Sequence, residues 1–449
     1  MGRLFGTDGA RGVANTELTP ELAMQIGRAA AMVLIEGKED KPKVMIGKDT
    51  RLSGDMLEAA LVAGLNSVGA DVLILGVVPT PAVAFLVKEY GYDAGIMISA
   101  SHNPYEYNGI KIFKADGYKL PDALEEEIES IILDDEKTPP KKFGDELGRV
   151  LEPTQAHEDY INHILSTTEY KYDGMKIAID CANGSSSTTG ESIFKRLGCE
   201  TLVLSAEPNG ININDNCGST HVENLQKFVK ENNCDAGFAF DGDADRLIAV
   251  DENGEVVDGD KIIAICAKNM KENGKLKDDA AVVTVMSNMG FFKFAEEAGI
   301  HCEKTKVGDR YVLENMRENG YVIGGEQSGH VIFLEYASTG DGELTAVQIL
   351  KAMKQTGKKL SELASVMEVY PQVLINVRVS NMGKAQFADD KEIAIAIKEA
   401  EKELGDEGRV LVRVSGTEPL VRVMLEGKDL EQITKLGEEI AEVVRERLI

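Results

Sequence analysis

The 449-residue chain is short of positive charge: 49 Lys and Arg stand against 76 Asp and Glu, a formal net charge of −27 at pH 7. Such an excess of carboxylates repels phosphate backbones and anionic lipid heads. Neither nucleic acid nor a membrane is therefore an expected partner, and any anionic ligand must be met by locally gathered cations. Cysteine is sparse as well. Cys181, Cys199, Cys217, Cys234, Cys266 and Cys302 form no CxxC pair, which argues against a zinc framework or a dense disulfide scaffold and fits a reducing, cytoplasmic setting. Long apolar runs are missing: the longest uncharged stretch, 72–87, has 16 residues and contains Pro79 and Pro81, whereas a membrane span needs about 20. No cleavable signal is expected, because residues 1–12 read as a Gly-rich turn, and Gly6 stands where myristoylation needs Ser or Thr.

With 43% hydrophobic and 28% charged residues, the chain has the make-up of a folded protein, and its length allows several domains. One local grammar of strand, helix and strand occurs three times. The first copy has strands at Lys43 and Asp71 around a helix at 55–68 with Leu57, Leu61 and Leu65 at helical spacing. The second runs 177–181, 191–197, 201–204, and the third 281–286, 291–298, 300–305. These patterns predict parallel or mixed sheets covered on both faces. Thr19 and Pro20 open an earlier helix that Gly37 follows. Asn253-Gly254 signals a hairpin.

After Tyr370 the order becomes strand 373–379, helix 391–404, strands 410–414 and 421–425, and helix 430–448. The last helix carries Leu430, Ile433, Leu436, Ile440 and Val443 or Val444 on one stripe, as an α+β layer requires. Segments 1–152, 153–253, 254–367 and 368–449 result.

Four constellations carry chemistry. Ser99-Ala-Ser101-His102-Asn103-Pro104, with Lys111 beyond, is a polar island between apolar strands. It offers a hydroxyl nucleophile with candidate helpers, or an ordinary turn whose hydroxyls bond their own backbone. Asp241, Asp243 and Asp245, followed by Arg246, alternate along a loop after an apolar strand, so three carboxylates share one face and suit Mg²⁺. A calcium EF-hand fails there, because its sixth position is Arg246 where Gly is needed, and strands flank it where helices are needed. A solvated acidic turn is the plainer alternative.

Glu326, Gln327, Ser328 and His330 lie between glycines and suit sugar hydroxyls, with Gly308 and Asp309 upstream as further contacts, unless this is a simple Gly-rich turn. Arg413, Ser415, Gly416, Thr417 and Arg422 are what a phosphate dianion wants, or else decorate a hairpin. Together these are a kit for phosphosugar chemistry.

These motifs, with the opening Phe5-Gly-Thr-Asp-Gly-Ala-Arg11, occur in the order found in the α-D-phosphohexomutases, and the chain resembles that family over essentially its whole length. The Gly-Glu-Gln-Ser-Gly-His wording is most similar to members acting on glucosamine phosphates, with mannose- and glucose-phosphate mutases as the nearest alternative. A non-catalytic sugar-phosphate or calcium-binding protein is the alternative from another class.

The resemblance implies three similar α/β domains with mixed sheets and a C-terminal α+β domain of TATA-binding-protein-like type. In order they would bear the phosphoserine, the metal, the sugar site and the phosphate site. It implies a phosphorylated Ser101, primed by a sugar 1,6-bisphosphate or a kinase, and one Mg²⁺ held by Ser101, Asp241, Asp243 and Asp245. Arg11, His102, Lys111, Arg246 and His330 would be catalytic. Glu326, Gln327, Ser328, Gly308 and Asp309 would touch the sugar, and Arg413, Ser415, Gly416, Thr417 and Arg422 the non-reacting phosphate. The expected partners are a hexosamine phosphate as substrate and a second copy of the chain in a homodimer.

Overall fold

The computed structural model describes residues 3–6, 8–34, 41–134, 137, 139–151, 155–415 and 419–449. Gly37, the first segment boundary at 152 and 153, and the phosphate-site candidates Gly416 and Thr417 lie outside them. The chain forms two compact units, one of Met1–Met286 with Ile300–Val366 and one of Ser287–Gly299 with Met367–Ile449.

Among the described residues, the first unit holds three mixed sheets of seven, five and four strands. In the first, Lys43–Lys48 runs parallel to Asp71–Val77 and Ala94–Ile98, and Tyr107–Lys114 returns antiparallel to the latter. In the second, Lys176–Asp180 lies parallel to Glu200–Leu204 and Ala236–Phe240, and the hairpin of Leu247–Asp251 and Val256–Val257 closes the edge. Gly254 takes its turn at φ 81°, where a side chain would be strained. In the third, Ala280–Thr284 lies parallel to His301–Thr305 and Ile323–Gly325, with Val331–Phe333 antiparallel. Each sheet thus has a parallel core and an antiparallel edge. Ala94–Ile98, Ala236–Phe240 and Ala280–Thr284 are buried along their whole lengths, which is why they read as continuous apolar runs.

The uncharged stretch 72–87 divides between strand Asp71–Val77 and helix Thr80–Glu89. Among the described residues no helix is long and apolar enough to cross a membrane. Helix Pro20–Leu34 starts at Thr19, whose Oγ1 accepts from Leu22 N at 3.2 Å. It crosses helix Ser53–Ser67 so closely that a Cβ on Gly64 would lie 2.3 Å from the Met24 carbonyl.

Among its described residues the second unit has three antiparallel strands, Gln372–Arg378, Leu420–Gly427 and Gly408–Val414, with the middle one paired to both others. Helices Lys391–Leu404 and Leu430–Leu448 lie against them. Ile433, Leu436, Ile440 and Val444 are buried in that core, but Leu430 is 54% exposed. It sits at the first helical position, one residue after the cap Asp429, so it does not join the apolar stripe expected of it. Helix Met289–Glu297 belongs to this unit, where Glu426 Oε2 accepts from Met289 N at 2.9 Å.

Candidate active site

Within the first unit, the C-terminal ends of parallel strands carry the polar loops, the usual place for ligand chemistry in open α/β sheets. Ser101 follows Ala94–Ile98, Asp241 follows Ala236–Phe240, Gly308 follows His301–Thr305, and Glu326 follows Ile323–Gly325.

Ser101 is fully buried and its backbone is left-handed, with φ 52°. Its Oγ donates to Asp241 Oδ2 at 2.5 Å and lies 3.4 Å from His102 Nδ1. That imidazole nitrogen accepts from Arg246 Nη1 at 3.2 Å. Burial, then the charges of Arg246 and Arg11, push His102 down to about 4, so it is neutral at physiological pH.

Asp241, Asp243 and Asp245 are buried, and one ligand oxygen from each lies within 4.8 Å of the others. Lys111 Nζ donates to Asp243 at 2.8 Å and to Asp245 at 3.3 Å. Burial opposes its charge, but Asp243, Asp8 and Asp245 raise its pKa far above the usual lysine range. Thr80 Oγ1 donates to Asp243 at 2.5 Å. Among the described residues, Asp243 Oδ1 and Asp245 Oδ1 are buried without a hydrogen-bond partner. Buried carboxylate oxygens left unpaired are costly, and three of these groups converge, so the donor set fits a hard divalent cation. Burial, with Asp245 and Asp243 adding to it, holds Asp241 well above the carboxylate range, as expected for crowded carboxyls.

His330 is buried and its Nε2 accepts from Gly340 N at 3.0 Å. The ring proton is then on Nδ1, 3.7 Å from Asp245 Oδ1. Burial disfavours the imidazolium, but Asp245 and Asp309 outweigh it and raise the pKa. Arg11 donates to Asp8, and Asp8 joins the cluster through Lys111 at 3.2 Å. Glu326 Oε1 accepts from Gly308 N at 3.1 Å, and Gln327 Nε2 donates to Asp258 at 3.1 Å. Ser328 is exposed. Asp309 begins helix Asp309–Asn319 and, with Lys119 and His330, lines a cavity of about 120 Å³.

Arg413 and Ser415 belong to the second unit. Arg413 stands directly across the ladder from Arg422, so two guanidinium groups share one stretch of the sheet. Burial and Arg422 lower the Arg413 pKa. Ser415 is buried, and its N–H donates to the Leu420 carbonyl at 2.8 Å.

Sequence reasoning quoted Asp8 within the opening motif without giving it a role, and missed Asp49, Arg51, Thr80, Lys119 and Asn214. The Lys48-Asp49-Thr50-Arg51 run after an apolar strand was a usable signal, since charged residues at the C-terminal end of a parallel strand point to a site. Nothing in the local sequence marked Asn214 or Thr80.

Four consecutive stretches match phosphoglucomutase/phosphomannomutase domains: alpha/beta/alpha domain I over residues 2–139, II over 158–254, III over 258–370, and the C-terminal domain over 374–443. The phosphoglucosamine mutase of Acetivibrio thermocellus is 58% identical over 448 residues, covering 100% of both chains. Among solved structures, a phosphoglucomutase/phosphomannomutase family protein from Burkholderia thailandensis is 25% identical with a TM-score of 0.82, over 100% of this chain and 99% of that one. Aspergillus fumigatus N-acetylphosphoglucosamine mutase, solved with GlcNAc-6P and magnesium, shares the fold at 18% identity and a TM-score of 0.61, over 96% of this chain and 100% of that one.

Proposed function

We propose that this chain, which belongs to the phosphoglucomutase/phosphomannomutase family, interconverts glucosamine 6-phosphate and glucosamine 1-phosphate and so feeds UDP-N-acetylglucosamine synthesis. It is an isomerase acting through a phosphorylated Ser101 and a sugar 1,6-bisphosphate. The observation that carries this reading is the 2.5 Å approach of Ser101 Oγ to Asp241 inside a cluster of three buried aspartates. The full-length likeness to a phosphoglucosamine mutase supports the choice of sugar.

In the forward direction the P–Oγ bond of phospho-Ser101 breaks as the 1-hydroxyl oxygen of glucosamine 6-phosphate bonds to phosphorus and that hydroxyl loses its proton. The bisphosphate turns over. Its 6-phosphoryl then passes to Ser101 Oγ, the 6-oxygen takes up a proton, and glucosamine 1-phosphate leaves with the enzyme again phosphorylated.

Such transfers depend on positioning and charge more than on a strong base. Lys111 stays an ammonium among Asp8, Asp243 and Asp245, and with Arg11 and Arg246 it stabilises charge on the moving phosphoryl. His102 and His330 are the imidazoles able to hold or release a proton. Asp241, Asp243, Asp245 and the phosphate on Ser101 would hold one Mg²⁺ per site, the ion of the Aspergillus fold neighbour. When bound it supplies positive charge to the phosphoryl oxygens.

The sugar hydroxyls fall to Glu326, Gln327, Ser328, Gly308 and Asp309, and the non-reacting phosphate to Arg413, Ser415, Gly416, Thr417 and Arg422. Segments 1–152, 153–253, 254–367 and 368–449 divide these tasks as phosphoserine, metal, sugar and phosphate domains. The enzyme works in the cytoplasm as a homodimer, which light scattering tests.

Intact-mass analysis of protein treated with glucose 1,6-bisphosphate is expected to show one added phosphate on Ser101. Ser101→Ala should lose both the phosphate and turnover, and full activity in that variant overturns the mechanism. The substrate assignment fails if mannose or glucose 6-phosphate is turned over with much the higher kcat/KM.

A further inference from the structure

Ser101 is a non-glycine residue at φ 52°, a conformation that costs on the order of 1–2 kcal/mol and persists only where surrounding structure holds it. The holding groups come from one short run at the end of strand Lys43–Lys48. Arg51 is 2% exposed, and its guanidinium is spent on carbonyls of the Ser101 turn. Nη2 donates to Ser101 O and to Asn103 O, each at 2.8 Å. Nη1 donates to Pro104 O and, at 3.1 Å, to Tyr107 O.

Arg51 is itself oriented by Asp49, which is 1% exposed and accepts from Arg51 Nε at 2.9 Å and Arg51 N at 3.0 Å. Asp49 Oδ2, the oxygen that takes Arg51 Nε, also accepts from Ser99 Oγ at 2.7 Å, and Ser99 Oγ in turn accepts from Ser101 N at 2.9 Å. From the second sheet's side, Asn214 Nδ2 donates to Ser101 O at 2.9 Å and to Asn103 O at 3.2 Å.

The circuit closes on one residue. The N–H of Ser101 is tied to Asp49 through Ser99, and its carbonyl is tied to Asp49 through Arg51. Both flanking peptides are thereby pinned, and the remaining freedom of Ser101 is rotation about its side chain. None of these groups approaches Oγ, whose partners are Asp241 and His102.

We propose that the buried Asp49–Arg51 pair is a positioning device that fixes the backbone of Ser101 so that its oxygen is presented to substrate at one place in both half-reactions. The inference rests on the proposed function, since it takes Ser101 as the phosphoryl carrier. A reaction that hands a phosphoryl group out and takes another back at one oxygen needs that oxygen at the same coordinates each time, and a displacement of about 1 Å costs about 10²-fold in rate. Lysine cannot replace arginine here: an ammonium has one nitrogen, whereas the planar fork reaches four carbonyls.

The test compares Arg51→Lys, Arg51→Ala and wild type by steady-state turnover of glucosamine 6-phosphate, thermal melting, and the ³¹P resonance of the phosphorylated protein. Arg51→Lys is expected to stay folded and lose about 100-fold in kcat with KM changed less than about threefold. Its phosphoserine resonance should be shifted or broadened. Guanidinium ion added to Arg51→Ala should restore part of kcat.

If Arg51→Ala does not fold, the Arg51→Lys kinetics and spectrum decide alone. Wild-type kcat in Arg51→Lys, or a kcat loss with an unchanged ³¹P resonance, overturns the proposal. Wild-type protein that never acquires phosphate on Ser101 overturns the functional reading instead. Phosphorylated wild type beside a fully active Arg51→Lys overturns the positioning role alone.

Discussion

Lys119 Nζ donates to Asp309 Oδ2 at 2.6 Å, across 190 positions of chain. The same nitrogen reaches Asp8 Oδ1 at 2.5 Å. From Asp8 the charges continue through Lys111 to Asp245, on to His330 at 3.7 Å, and back to Asp309 at 3.6 Å. Six groups from all three sheets' loops thus form a closed ring in which two lysines and one imidazole alternate with three carboxylates. Burial opposes the charge on Asp8, but Lys111, Lys119 and Arg11 hold its carboxyl well below the usual range.

Removing Lys119 from that ring leaves Asp8 and Asp309 with less compensating charge, although Lys111 and Arg11 still face Asp8 and His330 still faces Asp309. Lys119→Met is expected to destabilise the first unit by about 2–3 kcal/mol in urea unfolding, the lower end of what a broken buried pair costs, because Asp8 and Asp309 are partly exposed. Lys428→Met, which breaks the exposed pair with Glu407, should leave stability unchanged. Equal effects in the two variants would show that the ring is no more than a set of surface ion pairs.

Divalent cation and proton compete for the aspartate cluster. The pKa of Asp241 in the ion-free protein is raised by burial, then by Asp245 and Asp243, so protons compete more strongly with an incoming cation, which binds less well as pH falls. Mg²⁺ at a hundredfold over its Kd is expected to stabilise the protein by about 2.7 kcal/mol. The rise in Tm should shrink on acidification and vanish in Asp243→Asn. Chelation should abolish turnover. A Tm indifferent to Mg²⁺ throughout would remove the metal assignment.

Asp341 and Glu343 form a second acidic pair, enclosed by Tyr160, which donates to Asp341 at 3.0 Å, and Thr189, which donates to Glu343 at 2.7 Å. Burial pushes Glu343 up to about 8 and Asp341 up to about 7. The folded state therefore keeps protons that the unfolded chain gives up at ordinary carboxylate pKa values of about 4. The native state binds more protons across that window, so the pair's contribution to stability falls as pH rises from about 4 to about 8 and is flat above. Glu343→Gln removes part of that fall. The Tm of the variant relative to wild type should become more favourable between about pH 5 and about pH 8, and a difference independent of pH would contradict the shift.

Gly340 makes room for the His330 ring. A Cβ there would lie 2.6 Å from three ring atoms, and the ring is buried, so the ring or the backbone beside it must shift. Gly340→Ala is expected to cut kcat about 100-fold while the protein still folds. Wild-type turnover in this variant would show that the orientation of His330 is immaterial.

The repeated strand–helix–strand grammar was legible because buried parallel strands leave uninterrupted apolar runs: residues 281–286 announce Ala280–Thr284, and 177–181 announce Lys176–Asp180. The last helix was legible by its 3.6-residue stripe, apart from Leu430, since periodicity does not say which terminal residue reaches the core. Helix Met289–Glu297 read as part of the third copy, but its membership in the second unit is set by Glu426 and Tyr370, far along the chain.

Local sequence by itself determined which side chains were available: a serine between apolar strands, three alternating aspartates, and arginines beside hydroxyls. Those choices follow from short-range chemistry, because residue type and spacing within one loop fix what that loop can bind. Only the tertiary structure decided which loops meet. That both Nη atoms of Arg51 donate to carbonyls between Ser101 and Tyr107 while its Nε donates to Asp49, that Asn214 reaches Ser101 from a loop of the second sheet, and that Lys119 joins Asp8 to Asp309 depend on how three sheets bring their strand ends together. The physical reason is range: a hydrogen bond acts over about 3 Å, and sequence separation carries no information about which distant groups come within it.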